Sequence, residues 1–232
     1  MRIKAVFAAL ILCVLAVSCT NYAATRDKPK PGKDSGKNSG NTGQNTGNTG
    51  GAAKPDTGNW PKSLDTARNV TYLSAFEKDV IFEMNMVRSD PKKYAALYMQ
   101  PKSAGDREGI AALNKAGSAP PLQPEKGLCL AAQAHTKDQG RTGQFSHTGS
   151  DKSEPAARAR RFGKFSGTWG FAENIVAGSG NARVLVCMWL ASTGHRNNIM
   201  NGKLTQVGVG YGPHPKYGGM CTAKYAFGYI SN

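Results

Sequence analysis

The sequence predicts an α+β fold, and three observations carry that reading. Apolar residues recur at helical spacing through the first half of the region that is able to fold. Apolar and small residues alternate near the C-terminus, as they do in half-buried strands. A segment rich in Gly and Pro, residues 212–219, joins two such strands as a hairpin. Helices that precede a strand pair argue against a doubly wound sheet, in which the two alternate.

In chain order, Leu73, Phe76, Val80, Met84 and Val87 mark an amphipathic helix over residues 72–88. Ser89-Asp90-Pro91 reads as a stop and a restart. Asp90 is suited to cap a helix and Pro91 to begin one, so a short helix through Met99 should follow. Beyond a loop containing Gly and Pro, residues 125–140 place Leu128, Ala131, Ala132 and His135 on one helical face, where the alanines allow close packing on a sheet. His135 on that face reads as a core histidine with its hydrogen bonds satisfied. Residues 144–170 begin without helical periodicity and read as a long active-face loop, with a turn of helix near 155–161. A strand is expected over 172–176, helices over 182–191 and 195–200, and strands over 207–211 and 225–230. His214, between two prolines in the hairpin, reads as a surface residue.

Ahead of this domain, residues 1–18 read as an export signal, with Arg2 and Lys4 as its charged start. Its apolar core, residues 5–17, is shorter than the roughly twenty residues a membrane span needs. Ser18 directly before Cys19 is the pattern of a bacterial lipoprotein signal, although Ala16 stands where leucine is more usual. Cys19 is therefore the expected lipidation site and membrane anchor, and the location is that of a periplasmic or cell-surface lipoprotein. Residues 19–61 are mostly Asn, Thr, Gly, Ser and Lys, with almost nothing apolar to offset the entropy of ordering them. They should form a flexible tether reaching on the order of 35 Å. The globular domain is then 62–232.

That domain holds 22 Lys and Arg against 12 Asp and Glu, a balance that favours acidic partners such as anionic lipid or a cell-wall polymer. Nucleic acid is excluded by export and by the lack of any recognised binding motif. Cys129, Cys187 and Cys221 permit one disulfide and one free thiol outside the inner membrane, with the pairing open. Their spacing does not suit a zinc–thiolate site.

Four motifs then occur in order: Phe145-Ser146-His147-Thr148-Gly149, Ala172-Glu173-Asn174-Ile175, the run from Trp189 through Ser192-Thr193-Gly194-His195-Arg196-Asn197-Asn198 to Met200, and Val207-Gly208-Val209-Gly210. Together they resemble the CAP family (cysteine-rich secretory, antigen 5 and pathogenesis-related proteins, with the SCP-like domain). The resemblance implies an α-β-α sandwich with a central, mainly antiparallel sheet and a cleft that often holds two His and two Glu. His147 matches the first His, Glu173 the first Glu and His195 the second His. Ser192 stands where the second Glu is usual, and Ala172 replaces a usual Gly.

Two neutral imidazoles with water make a tolerable site for Zn or another divalent metal, with His147 and His195 as ligands. Glu173 is suited either to bind the metal or to hold a ring N–H so that the other nitrogen faces it. Ser146 and Ser192 each lie close in sequence to a cleft histidine, but neither stands in a nucleophile-elbow pattern. The leading reading is a non-enzymatic binding module, for which the resemblance implies lipid or sterol as candidate ligands. One alternative is a metal-dependent hydrolase or peptidase acting on peptide or cell-wall material. The other is a host-facing interaction protein with a vestigial cleft.

Overall fold

The structure is a computed structural model and describes residues 59–232. The signal, Cys19 and most of the tether lie outside those residues. Trp60 is buried in the core, its indole N–H donates to the Tyr98 hydroxyl at 3.0 Å, and Lys93 lies over its ring. Packing therefore reaches two residues ahead of the expected domain start at Lys62.

Helix α1 (Ala75–Ser89) starts where Ser74 and Glu77 form a reciprocal capping box, a signal the apolar spacing alone does not reveal. Asp90 ends α1 and caps α2 (Pro91–Tyr98) by accepting the Lys93 N–H at 2.9 Å, as its place before Pro91 suggested. Helix α3 (Ala104–Leu113) occupies part of the stretch expected to be loop. Its glycines hid it, yet they are what let it approach its neighbour. A Cβ at Gly105 or Gly109 would sit 2.7 or 2.6 Å from the carbonyl oxygen of Ala191 or Leu190. Helix α4 (Lys126–Thr142) ends at Gly143 in the left-handed conformation, and the short α5 (Pro155–Ala159) lies inside the expected helical turn. Helices α6 (Ala182–Leu190) and α7 (Thr193–Met200) lie close to the expected 182–191 and 195–200.

The sheet contains β1 (Gln123–Pro124), β2 (Gly163–Ala177), β3 (Gln206–His214) and β4 (Gly218–Ser231), in the order β1-β3-β4-β2. Only β1 pairs in parallel, so the fold is an α+β sandwich with a mainly antiparallel sheet. Strand β2 begins nine residues before the expected Ala172 start. Composition concealed it because three glycines interrupt its first half, which is also bulged. The register slips between Phe165 and Gly170, opposite Gly228, which takes a φ of 69°. The β3–β4 turn is likewise tighter than the expected 212–219 hairpin, since Gly212 and Gly219 both belong to paired strands.

Side-chain alternation splits the sheet into two faces. Val207, Val209, Ala223 and Tyr225 join the larger core with α1, α2 and α6. The opposite face carries Gly208, Gly210, Thr222, Lys224 and Ala226, and α4 lies on it. Here helix and strand nearly touch. A Cβ at Gly208 would fall 2.0 Å from the Leu128 carbonyl carbon, and one at Gly210 would fall 2.5 Å from that of Ala132.

Replacing Gly208 by Ala should therefore force α4 off the sheet and destabilise the fold by about 3 kcal/mol. Gly117→Ala, which meets no atom within 4 Å, should change stability little. Urea unfolding of the two variants checks this, and equal midpoints would contradict the close contact.

Candidate functional site

Glu173 and Asn174 are consecutive on β2, so they project to opposite faces of the edge strand. Glu173 pairs across the sheet with Lys224 of β4, which is fully buried beneath α4. Its carboxylate contacts the Lys224 ammonium and accepts from Arg158 of α5 at 3.1 Å and from His147 Nδ1 at 2.9 Å. Burial alone would raise the Glu173 pKa. The Lys224 charge, the His147 hydrogen bond and the Arg158 charge overcome that and hold it at about 2. Burial in turn lowers Lys224 to about 8, against the pull of Glu173.

Since a carboxylate is acceptor-only, His147 must donate Nδ1–H to it, so that in the neutral ring Nε2 carries the lone pair. The His147 side chain is 36% exposed, so this lone pair belongs to a ring that solvent reaches. Arg158 also donates to the His147 carbonyl at 2.7 Å, fixing the loop as well as its partner. On the other face, Asn174 donates to the His195 carbonyl at 3.1 Å and accepts from Asn198 at 2.8 Å. One dipeptide on the edge strand thus fastens both histidine-bearing segments.

His195 lies close enough to His147 to feel its charge. Burial first, and His147 second, lower the His195 pKa to about 4. Ser192 is half-buried just before α7, where its carbonyl accepts the Arg196 N–H at 2.8 Å and its side chain makes no capping bond. Among the described residues no three His, Cys, Asp or Glu side chains group as they would around a metal ion. Glu173 is engaged as an orienter of His147, so two imidazoles are the donors that would be left to a divalent cation. Two such ligands would leave a metal largely to water and would not make a closed structural site.

Three further expectations meet the structure here. His135 is fully buried, as its apolar helix face suggested, and its Nε2 faces the Ser146 carbonyl at 2.9 Å. Its Nδ1, however, has no partner, and burial lowers its pKa to about 4. His214 is not a surface residue. It is 2% exposed, with Nε2 facing the Gln144 carbonyl at 2.8 Å, so it braces the start of the His147 loop. Cys129, Cys187 and Cys221 are all free thiols, and burial raises each pKa. Arg158 and Lys224, the cations that define the site, escaped the sequence reading. Lys224 had one signal, a lone charge in an otherwise uncharged strand.

The depressed pKa values set a pH dependence. His135 and His195 must stay neutral in the folded protein, so their contribution is complete above pH 6.5 and is lost as pH falls toward 4. Glu173 adds a further loss as pH falls from 4.5 toward 2. The unfolding free energy should drop by a few kcal/mol between pH 6.5 and 4. His135→Gln, which keeps a neutral donor for the Ser146 carbonyl, should flatten that slope in urea titrations. An unchanged slope would remove His135 from this account.

Over residues 82–225, more than half of the chain, the sequence matches the cysteine-rich secretory protein (CAP) family. An uncharacterized protein of Bacillus subtilis is 35% identical over 91 residues, which is 39% of this chain. The match spans 35% of that relative's own length. Two solved structures are similar at lower identity. Venom allergen-like protein 4 of Schistosoma mansoni is 15% identical, with a TM-score of 0.44 over 69% of this chain and 91% of that one. An outer surface protein of Borrelia burgdorferi is also 15% identical, with a TM-score of 0.39 over 48% and 78%. CAP domains are in general non-catalytic binding modules. On its family match, and with the α+β sandwich that carries it, this chain belongs to the CAP family.

Proposed function

We propose that this protein is an exported, non-enzymatic binding module whose ligand occupies the cleft around His147, Glu173, Ser192 and His195. The observation that carries this is the state of Glu173. A general acid or base works best with a pKa near the operating pH. Glu173 lies at about 2 and is locked between Lys224, Arg158 and His147, so it orients and does not exchange protons at neutral pH. Ser146 Oγ accepts the Thr148 N–H at 3.0 Å and the Thr148 hydroxyl donates to Glu154 at 3.1 Å, so both hydroxyls flanking His147 in sequence serve the loop. Lipid and sterol are the ligand classes we favour, with an acidic surface partner suited to the basic exterior.

One feature favours a second reading. A histidine backed by a buried carboxylate, with its other nitrogen on the open side, is a good metal ligand. Zn or another divalent metal on His147 and His195 would supply Lewis acidity for hydrolysis of peptide or cell-wall material. Calorimetric titration with Zn(II) at pH 7, run beside a peptidase assay on casein, separates the two readings. We expect weak binding without turnover, lost in His147→Ala or His195→Ala and weakened about tenfold or more in Glu173→Gln. Metal-dependent cleavage abolished by His147→Ala would replace the binding module with the hydrolase.

The membrane attachment we propose runs through acylated Cys19 and the tether. Among the described residues no helix is long and apolar enough to cross a membrane. Cys19→Ser should move the protein into the soluble fraction and end its incorporation of labelled fatty acid. Unchanged membrane partition in that variant would rule out the lipid anchor.

A further inference from the structure

Strand β2 is an edge of the sheet, and its first half carries an uncharged run, Phe165 to Phe171, that holds three aromatic rings. The register slip against β4 throws Ser166, Gly167, Thr168 and Trp169 out of the ladder, and all four are exposed. Gly167 takes a φ of 60°, and a Cβ there would meet no atom within 4 Å, so the tip of the bulge stands clear of the body. Trp169 is 44% exposed, and its ring lies against Phe165 with 4.6 Å between centroids. Its indole N–H makes no hydrogen bond among the described residues.

The rim of this tip is basic. Arg160, just after α5, lies 5.0 Å from the Phe165 ring and 5.3 Å from the Trp169 ring. Lys164 precedes Phe165 in the strand, so it projects to the opposite face of the sheet, across from exposed Ile230. Among the described residues neither cation has a carboxylate partner, whereas the neighbouring Arg161 is paired with Asp151. An aromatic tip at the sheet edge is thus flanked by one unpaired cation on each face.

A bare aromatic edge is a liability for a protein in water, and retained apolar surface of this kind marks a docking site. An added peptide strand fits poorly, because the bulge breaks the ladder it would extend. A stacked sugar ring fits poorly as well, since the Trp169 ring already has Phe165 and Arg160 against it. We infer that this edge docks the domain on an anionic lipid bilayer. Trp169 and Phe165 enter the boundary between head groups and acyl chains, where the indole N–H finds an acceptor, and Arg160 and Lys164 meet lipid phosphates. This surface gives the basic exterior a partner and rests neither on the cleft nor on acylated Cys19.

The test uses the chain from residue 19 with Cys19→Ser, which carries no acyl group and keeps every residue of the fold. It is mixed with vesicles of phosphatidylglycerol and phosphatidylcholine, or of phosphatidylcholine alone, and followed by sedimentation and tryptophan emission. Trp60 and Trp189 are buried, so a shift in emission reports Trp169. The anionic vesicles should bind the protein, move its emission to the blue and release it as salt rises, and phosphatidylcholine alone should bind at least about tenfold more weakly. Trp169→Ala should weaken binding at least about tenfold. Arg160→Gln with Lys164→Gln should weaken it about thirtyfold, at about fivefold for each cation near a lipid surface. The wild-type arms decide the matter even if a variant folds poorly. No binding to the anionic vesicles, or binding with unchanged emission, overturns the proposal. Binding that Trp169→Ala leaves intact places the lipid in the cleft or on another face and overturns it too. Zn(II) titration of the cleft reads His147 and His195, so either reading can fail without the other.

Discussion

The buried carboxylate of Glu173 is the interaction on which the rest of the site depends. A lone carboxylate in a protein interior would lose several kcal/mol of hydration, and it stays charged only if cations and donors replace that water. Here they come from three separate places: Lys224 from the neighbouring strand, Arg158 from α5 and His147 from the loop after α4. The three sit on different elements, so the carboxylate is satisfied only when sheet, helix and loop have all reached their final positions. Removing one partner of a buried pair of this kind costs about 3–5 kcal/mol because the remaining charge is stranded. The Gly-, Ser- and Arg-rich loop has little apolar surface of its own. Its order follows from this charge arrangement, with Arg158 also gripping the backbone at His147 and Ser153.

A second constraint makes the first achievable. Lys224 is covered from solvent because α4 lies almost in contact with the sheet, and that closeness exists because Gly208 and Gly210 present no side chains to it. Thr136 of α4 then reaches Thr222 Oγ1 at 2.9 Å, and His135 comes near enough to Glu173, Arg158 and Lys224 to feel their charges. A larger residue at either glycine would lift the helix and admit water around the ammonium. The Val-Gly-Val-Gly alternation is thus an electrostatic feature as well as a packing one: valines serve the larger core, and glycines admit the helix that buries the charge.

These two constraints also explain which parts were legible in the sequence. Helices with long apolar spacing were readable, and so were the motif runs that carry His147, Glu173 and His195, because each has a recognisable local pattern. Arg158 and Lys224 were not, because their roles arise from tertiary placement and cross-strand register, Glu173 opposite Lys224, which no local pattern encodes. Helix α3 and the first half of β2 were missed for a related reason. Glycine lowers the propensity for either structure, yet in α3 it is there to meet the C-terminal carbonyls of α6 and the residue beyond. In β2 it is there to turn a bulge. His214 lies between prolines, which suggests exposure, but the paired strands carry it under the Gln144 loop. The cysteines gave an arithmetic that allowed a disulfide, whereas the fold holds all three as separate thiols.

The same network bears on what such a cleft can do. A carboxylate held near pKa 2 by two cations is a fixed charge, and a fixed charge positions its histidine without taking up protons from it at neutral pH. His195, kept neutral by burial, adds a second ring that stays uncharged through the physiological range. Glu173 and His195 therefore each keep one charge state through neutral pH, which suits recognition better than acid–base turnover. Arg158 contacts both Glu173 and the His147 backbone with one nitrogen, so a single guanidinium holds the carboxylate and the loop that carries its histidine.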